Sequence, residues 1–261
     1  MSLRERFTRI VDHVRDDFRN NGGIDVELDT RTTAVLILCS ILLTLFYYYG
    51  RPPFFRSELE MAFVGAFGLD TSEFRGVFPY WYWSLASLVL RVAIPLFCIW
   101  FWFKESARDY GFRIWKKGHG KIYLGLYLIM LPVLVGISFT ESFQGKYPFY
   151  DAAGESLPHF LIYESGYAIQ FFSLEAFFRG FLVFALFKRF GYHAVTIMTV
   201  PYCMIHFGKP PAESLGAIVA GMLLGYLALK SKSWLPGALL HFGVGLTLDV
   251  LCIAQDVFRT G

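Results

Sequence analysis

The sequence predicts an all-α fold, a polytopic bundle of transmembrane helices, and three observations predict it. The chain of 261 residues is 55% hydrophobic and only 17% charged, with 28 Phe, 15 Tyr and 6 Trp, more apolar surface than a water-soluble domain of that length can bury. The apolar residues fall in windows of about 17–25, enough for a helix rising about 1.5 Å per residue to cross roughly 30 Å of hydrocarbon. Aromatic residues crowd the window ends, as in Phe46-Tyr47-Tyr48-Tyr49 and Tyr80-Trp81-Tyr82-Trp83, where interfacial rings belong.

Residues 1–30 are charged throughout and have no apolar h-region, so no cleavable signal peptide is expected. Ile10, Val11, Val14 and Phe18 stand at helical spacing among Arg and Asp, which fits either an amphipathic helix on the cytoplasmic surface or a solvated tail. About seven spans follow, at 31–49, 82–103, 121–139, 159–187, 192–207, 213–230 and 235–256. The fourth is long and carries charges, and the fifth is short and contains Pro201. An eighth segment, within 51–78, has an apolar core at Phe63–Phe67 too short to cross and reads as a re-entrant or interfacial helix. Lys and Arg concentrate in 1–31, 104–121, 188–189 and 230–232. The positive-inside rule therefore places the N-terminus in the cytoplasm and, with seven spans, the C-terminus outside. Cys39, Cys98, Cys203 and Cys252 lie in apolar runs without a CxxC pair and read as small hydrophobic residues. A net charge of +3 is too small to point to nucleic acid.

Ionisable residues inside such windows are expensive, about 2.5–3.5 kcal/mol each even on the lenient insertion scale, and normally face the bundle interior and pair. Glu164, Glu175 and Arg179 fall in the fourth span, His206 closes the fifth, and His241 and Asp249 lie in the seventh; the first three spans hold only Arg91. Glu175 and Arg179 are four apart on one helix face, Glu first, which suits an ion pair. Glu164 returns to that face nearer the outer interface, where a solvated role is expected. One carboxylate and two histidines suit general acid–base chemistry or metal binding. No HExxH or GxSxG motif is present, which disfavours the familiar zinc-helix and serine-nucleophile hydrolases.

The segment Leu174-Glu175-Ala176-Phe177-Phe178-Arg179-Gly180 resembles the first motif, EExxxR(G), of the CAAX-protease and bacteriocin-processing family of intramembrane proteases. Tyr202-Cys203-Met204-Ile205-His206 is similar to its second, FxxxH, and His241 with Gly245 approaches its third, a histidine followed four residues later by Asn. The resemblance covers about 160–256 and implies a catalytic bundle over 159–261, with supporting helices over 31–158 and the N-terminal segment 1–30. It implies an endopeptidase that cleaves near the C-terminus of a protein or lipidated-protein substrate within the lipid bilayer. By position, Glu175 and His206 would activate a water, His241 would help hold the oxyanion, and Arg179 would orient the glutamate helix. Family members are discussed both as glutamate-dependent and as metal-dependent, so Glu175, His206 and His241 would be a three-ligand set for a divalent metal such as zinc. Leu174 stands where the family has its first glutamate, and Gly245 where it has Asn. A subset with a single glutamate followed by aromatics and RG processes C-terminal sorting signals, and the sequence is similar to that subset.

Two other classes stay open. The missing Glu and Asn would suit an inactive relative acting as a membrane scaffold or immunity partner. A proton-coupled transporter could use Glu and His as a relay, although no inverted repeat is evident. Straight helices would place His206 about 25 Å up its span and His241 about 10 Å up, so a shared site requires kinks or late helix starts, for which Pro201, Pro236, Gly243 and Gly245 are candidates.

Overall fold

The computed structural model of the chain describes residues 5, 8–10, 12–13, 16, 29–69, 71–115 and 118–260, the last four in backbone only. The described residues contain no strand. The expected amphipathic N-terminal helix rests on Ile10, Val11, Val14 and Phe18, of which the last three lie outside the described residues. Two compact units are present, Met1–Leu38 and Cys39–Gly261, and the larger one carries every candidate residue.

Six helices are long and apolar enough to cross a membrane, and the protein is an integral, multi-pass membrane protein. They are α1 (Thr30–Tyr49), α3 (Glu73–Trp102), α4 (Gly120–Ser138), α5 (Leu157–Phe190), α7 (Pro211–Ser231) and α8 (Leu235–Thr260). Between α1 and α3, residues 52–67 form α2, which starts on Pro52-Pro53 and stops at Gly68, whose φ of 64° only a residue without a side chain adopts easily. The fifth expected span, 192–207, is a shorter helix, α6 (His193–Met204). Its 12 residues rise only about 18 Å, and the chain then turns through Gly208, at φ 87°, to Pro210-Pro211.

Helix α5 is the centre of the bundle: 83% of its most apolar window is buried, against 11% for α4, whose Leu124, Leu128, Ile129 and Val133 face outward. Phe177, Phe178, Phe181, Leu182 and Leu186 are fully buried around it. Two polar contacts fix α3 to α5, with Ser84 Oγ donating to the Gly166 carbonyl at 2.7 Å and Trp81 Nε1 to that of Ile162 at 3.1 Å. Helix α8 packs on both α4 and α5, with Tyr127 and Thr247 hydroxyls 2.6 Å apart at the α4 contact. Small residues set the α6–α7 contact: a Cβ on Gly221 would meet Thr199 at 2.9 Å and one on Gly225 would meet Val195 at 2.7 Å. This small-xxx-small spacing is how membrane helices gain close packing without a hydrophobic drive between them.

Two long helices change pitch where the sequence forces it. In α3, Pro95 has no N–H for the Arg91 carbonyl, and residues Val89–Ala93 widen into a π turn in which Ile94 N donates to Val89 O. In α5 a second π turn, Ala176–Leu182, begins one residue after Glu175. Gly180 within it lies so close to Trp234 that a Cβ would stand 2.9 Å from its ring.

Candidate active site

Tyr163, Tyr167, Phe171, Glu175 and Arg179 recur every four residues and form one stripe along α5. The first three are a ladder of rings, 5.4 Å and 4.6 Å between centroids, and Phe171 packs edge-on against the His241 ring at 4.6 Å. Glu175 ends the ladder, with no exposed side-chain surface. Its Oε1 accepts from Arg179 Nη1 at 2.8 Å and from His241 Nδ1 at 2.7 Å, while Oε2 has no partner. The sequence-predicted ion pair is therefore present, and His241 joins it from the second turn of α8.

Tyr202 and His206 occupy successive turns of α6 and its terminal turn. The Arg179 guanidinium lies over the Tyr202 ring, 3.7 Å from its centroid, a favourable use of the ring quadrupole in a dry site. The Tyr202 carbonyl meets His206 Nδ1 at 2.8 Å. Because a carbonyl only accepts, Nδ1 carries a proton and, in the neutral ring, Nε2 keeps its lone pair; by the same logic the Glu175 carboxylate assigns the Nδ1–H tautomer to a neutral His241. The Tyr202 ring lies 4.8 Å from that of His206 and 6.3 Å from that of His241. The short α6, rising about 18 Å where a full span was expected, brings the second histidine to the first.

Both imidazoles line a cavity of about 690 Å³ together with Gln170, Phe171, Leu174, Tyr167, Trp83 and Phe46. Glu175 is not in its lining and sits behind His241. Among the described residues, no group of three His, Cys, Asp or Glu side chains is placed to hold a metal ion. The zinc set expected from Glu175, His206 and His241 does not fit this arrangement, in which Glu175 is bonded to His241 Nδ1 from behind and stands outside the cavity that the two histidines line.

Asp249, one turn beyond Gly245, is fully buried beside Glu164 and is not in the cavity lining. Glu164, expected near solvent, is only 5% exposed; helix α8 covers it. Gly245 itself is explained by packing, since a Cβ there would come within 2.6 Å of Phe171. The space an Asn would take is filled by the ring that supports His241. Sequence reasoning also missed Gln170, the one side-chain amide in the cavity lining, buried with its Oε1 unpartnered. A glutamine in an apolar span was its available signal. From the segment between α4 and α5, Tyr147 donates to Oε2 of Glu213, in the first turn of α7, at 2.6 Å while Lys209 holds Oε1 at 2.6 Å. Burial, reinforced by Glu213, keeps the Tyr147 phenol well above its ordinary pKa and so a donor.

Residues 160–247, about a third of the chain, match the family model described as type II CAAX prenyl endopeptidase Rce1-like. No curated protein and no solved structure matches the chain.

Proposed function

We propose that the protein is an intramembrane endopeptidase of the CAAX type, cleaving a protein substrate near its C-terminus. The family match over 160–247 supports the class. The observation that carries the reading is that His206 and His241, from two helices, line one cavity, with Glu175 and Arg179 of a third helix bonded in series behind His241.

The division of labour follows the hydrogen bonds. A water held between His206 Nε2 and His241 Nε2 gives one proton to His241 as its oxygen attacks the scissile carbonyl. The imidazolium that forms is stabilised by Glu175, whose charge Arg179 compensates 2.8 Å away, the arrangement by which a buried carboxylate supports a histidine base. Gln170 offers its amide to the oxyanion in place of the Asn absent at Gly245. His241 then returns the proton to the departing amine nitrogen as the C–N bond breaks. Glu175 thus acts through His241, which differs from the assignment by motif position, where Glu175 itself meets the water.

Purified protein in proteoliposomes, given peptides that end within a few residues of the target bond, tests this. His206→Ala and His241→Ala are expected to lower kcat by about 10²–10⁴, the range general acid–base groups supply, and Gln170→Leu by about 10²–10³, as for one oxyanion donor. Full activity in both histidine variants, at normal protein levels, would overturn the roles given to His206 and His241, and no cleavage by the unsubstituted protein would leave the inactive scaffold as the better reading.

A further inference from the structure

Arg91 is 3% exposed near the middle of α3, with no carboxylate partner among the described residues. Its Nη1 donates to Ser87 Oγ at 3.3 Å, its guanidinium lies 3.7 Å from the Phe46 ring centroid, and its Nε has no acceptor. A neutral hydroxyl and one ring face do not neutralise a charge held away from water, and intramembrane ionisable residues without partners mark ligand sites. Arg91 lines the same cavity as His206 and His241. The other cations of that lining are Arg51, Lys146 and Lys209, and no Asp or Glu lines it. Lys209 is committed to Glu213, which leaves Arg91 as the buried positive charge of an otherwise aromatic chamber.

We propose that Arg91 anchors the C-terminal carboxylate of the substrate, so that the site takes peptides ending in a free acid a few residues beyond the scissile bond. The proposal rests on the endopeptidase reading above and names its substrate class. A planar guanidinium presents paired N–H donors that match a carboxylate, and the pair strengthens where water is excluded. Phe46, Trp83, Tyr167 and Phe171 supply apolar walls for the residues before the terminus. The volume of about 690 Å³ falls among sites that enclose a small ligand, which suits a few residues and excludes a folded domain.

The test compares one apolar peptide as free acid and as C-terminal amide. Binding is measured to His206→Ala protein in phosphatidylcholine nanodiscs, and cleavage with the unsubstituted protein. Amidation is expected to weaken binding by at least about tenfold, the worth of a hydrogen bond to a charged group. The preference should vanish in Arg91→Gln and partly return in Arg91→Lys, which also serves if the Gln variant does not fold. Equal binding of acid and amide, or a preference that survives Arg91→Gln, overturns the anchor. So does loss of the acid preference when phosphatidylglycerol replaces part of the phosphatidylcholine, because the anion held is then a lipid phosphate. An acid preference without cleavage of either peptide retains the anchor and removes the protease reading; cleavage without the preference does the reverse.

Discussion

Phe171 and Gly245 occupy the place where a side-chain amide was expected, and the contact is tight. Gly245→Asn should therefore lose about 1–3 kcal/mol, the cost of overpacking a filled site, read as a lower thermal midpoint in detergent. Phe171→Ala in the same chain should recover much of it; an Asn variant as stable as the parent would contradict the packing account. Arg179→Leu should cost more, about 3–5 kcal/mol, because it leaves Glu175 buried and uncompensated. Arg179→Lys should not restore full stability, since one ammonium cannot both pair with Glu175 and lie flat on Tyr202. Chemical denaturation of the two variants side by side checks the order. Glu175, Arg179, His206 and His241 were legible in the sequence because charge stands out in an apolar window. Phe171 was not, because one ring among 28 phenylalanines carries no signal until the fold sets it against His241.

Helix α6 matters because it is short. A full span would have carried His206 away from His241, whereas a helix that stops at Met204 and turns at Gly208 leaves the two histidines on one cavity. Pro201 and the Gly208-Lys209-Pro210-Pro211 run held that information, but hydropathy alone does not show where the helix ends. The α6 position depends on α7: Gly225→Val places bulk where a Cβ already meets Val195 at 2.7 Å and should force the helices apart. Expected outcomes are a loss of about 1–3 kcal/mol and a fall in peptide cleavage larger than the fall in peptide binding, since His206 moves with α6. Cleavage at the parent rate would show that α6 is not held by this contact. The spans α1, α4, α7 and α8 were readable to within a few residues because their windows are uninterrupted, while α3 began earlier than hydropathy indicated, at Glu73, because its first turns mix Arg and Glu with aromatics.

At the scale of the molecule, the buried Glu164, Gln170, Glu175 and Arg179 of α5 all lie within residues 160–247, the third of the chain that matches a protease family model. The orientation read from the Lys and Arg distribution puts Lys232 on the cytoplasmic side and Lys146 on the opposite side. Single cysteines at those positions, in a chain whose Cys39, Cys98, Cys203 and Cys252 are replaced, should react with a membrane-impermeant reagent in intact cells at 146 and only after lysis at 232. The reverse pattern would overturn the orientation. The central claim is that Glu175 works through His241, and a double-mutant cycle on cleavage tests it most directly. Glu175→Gln and His241→Ala should each lower kcat/KM strongly, and the double variant should be little worse than His241→Ala alone, as for residues acting as one unit. Losses that multiply, each variant adding its full effect to the other, would contradict the account and place Glu175 in contact with the water on its own.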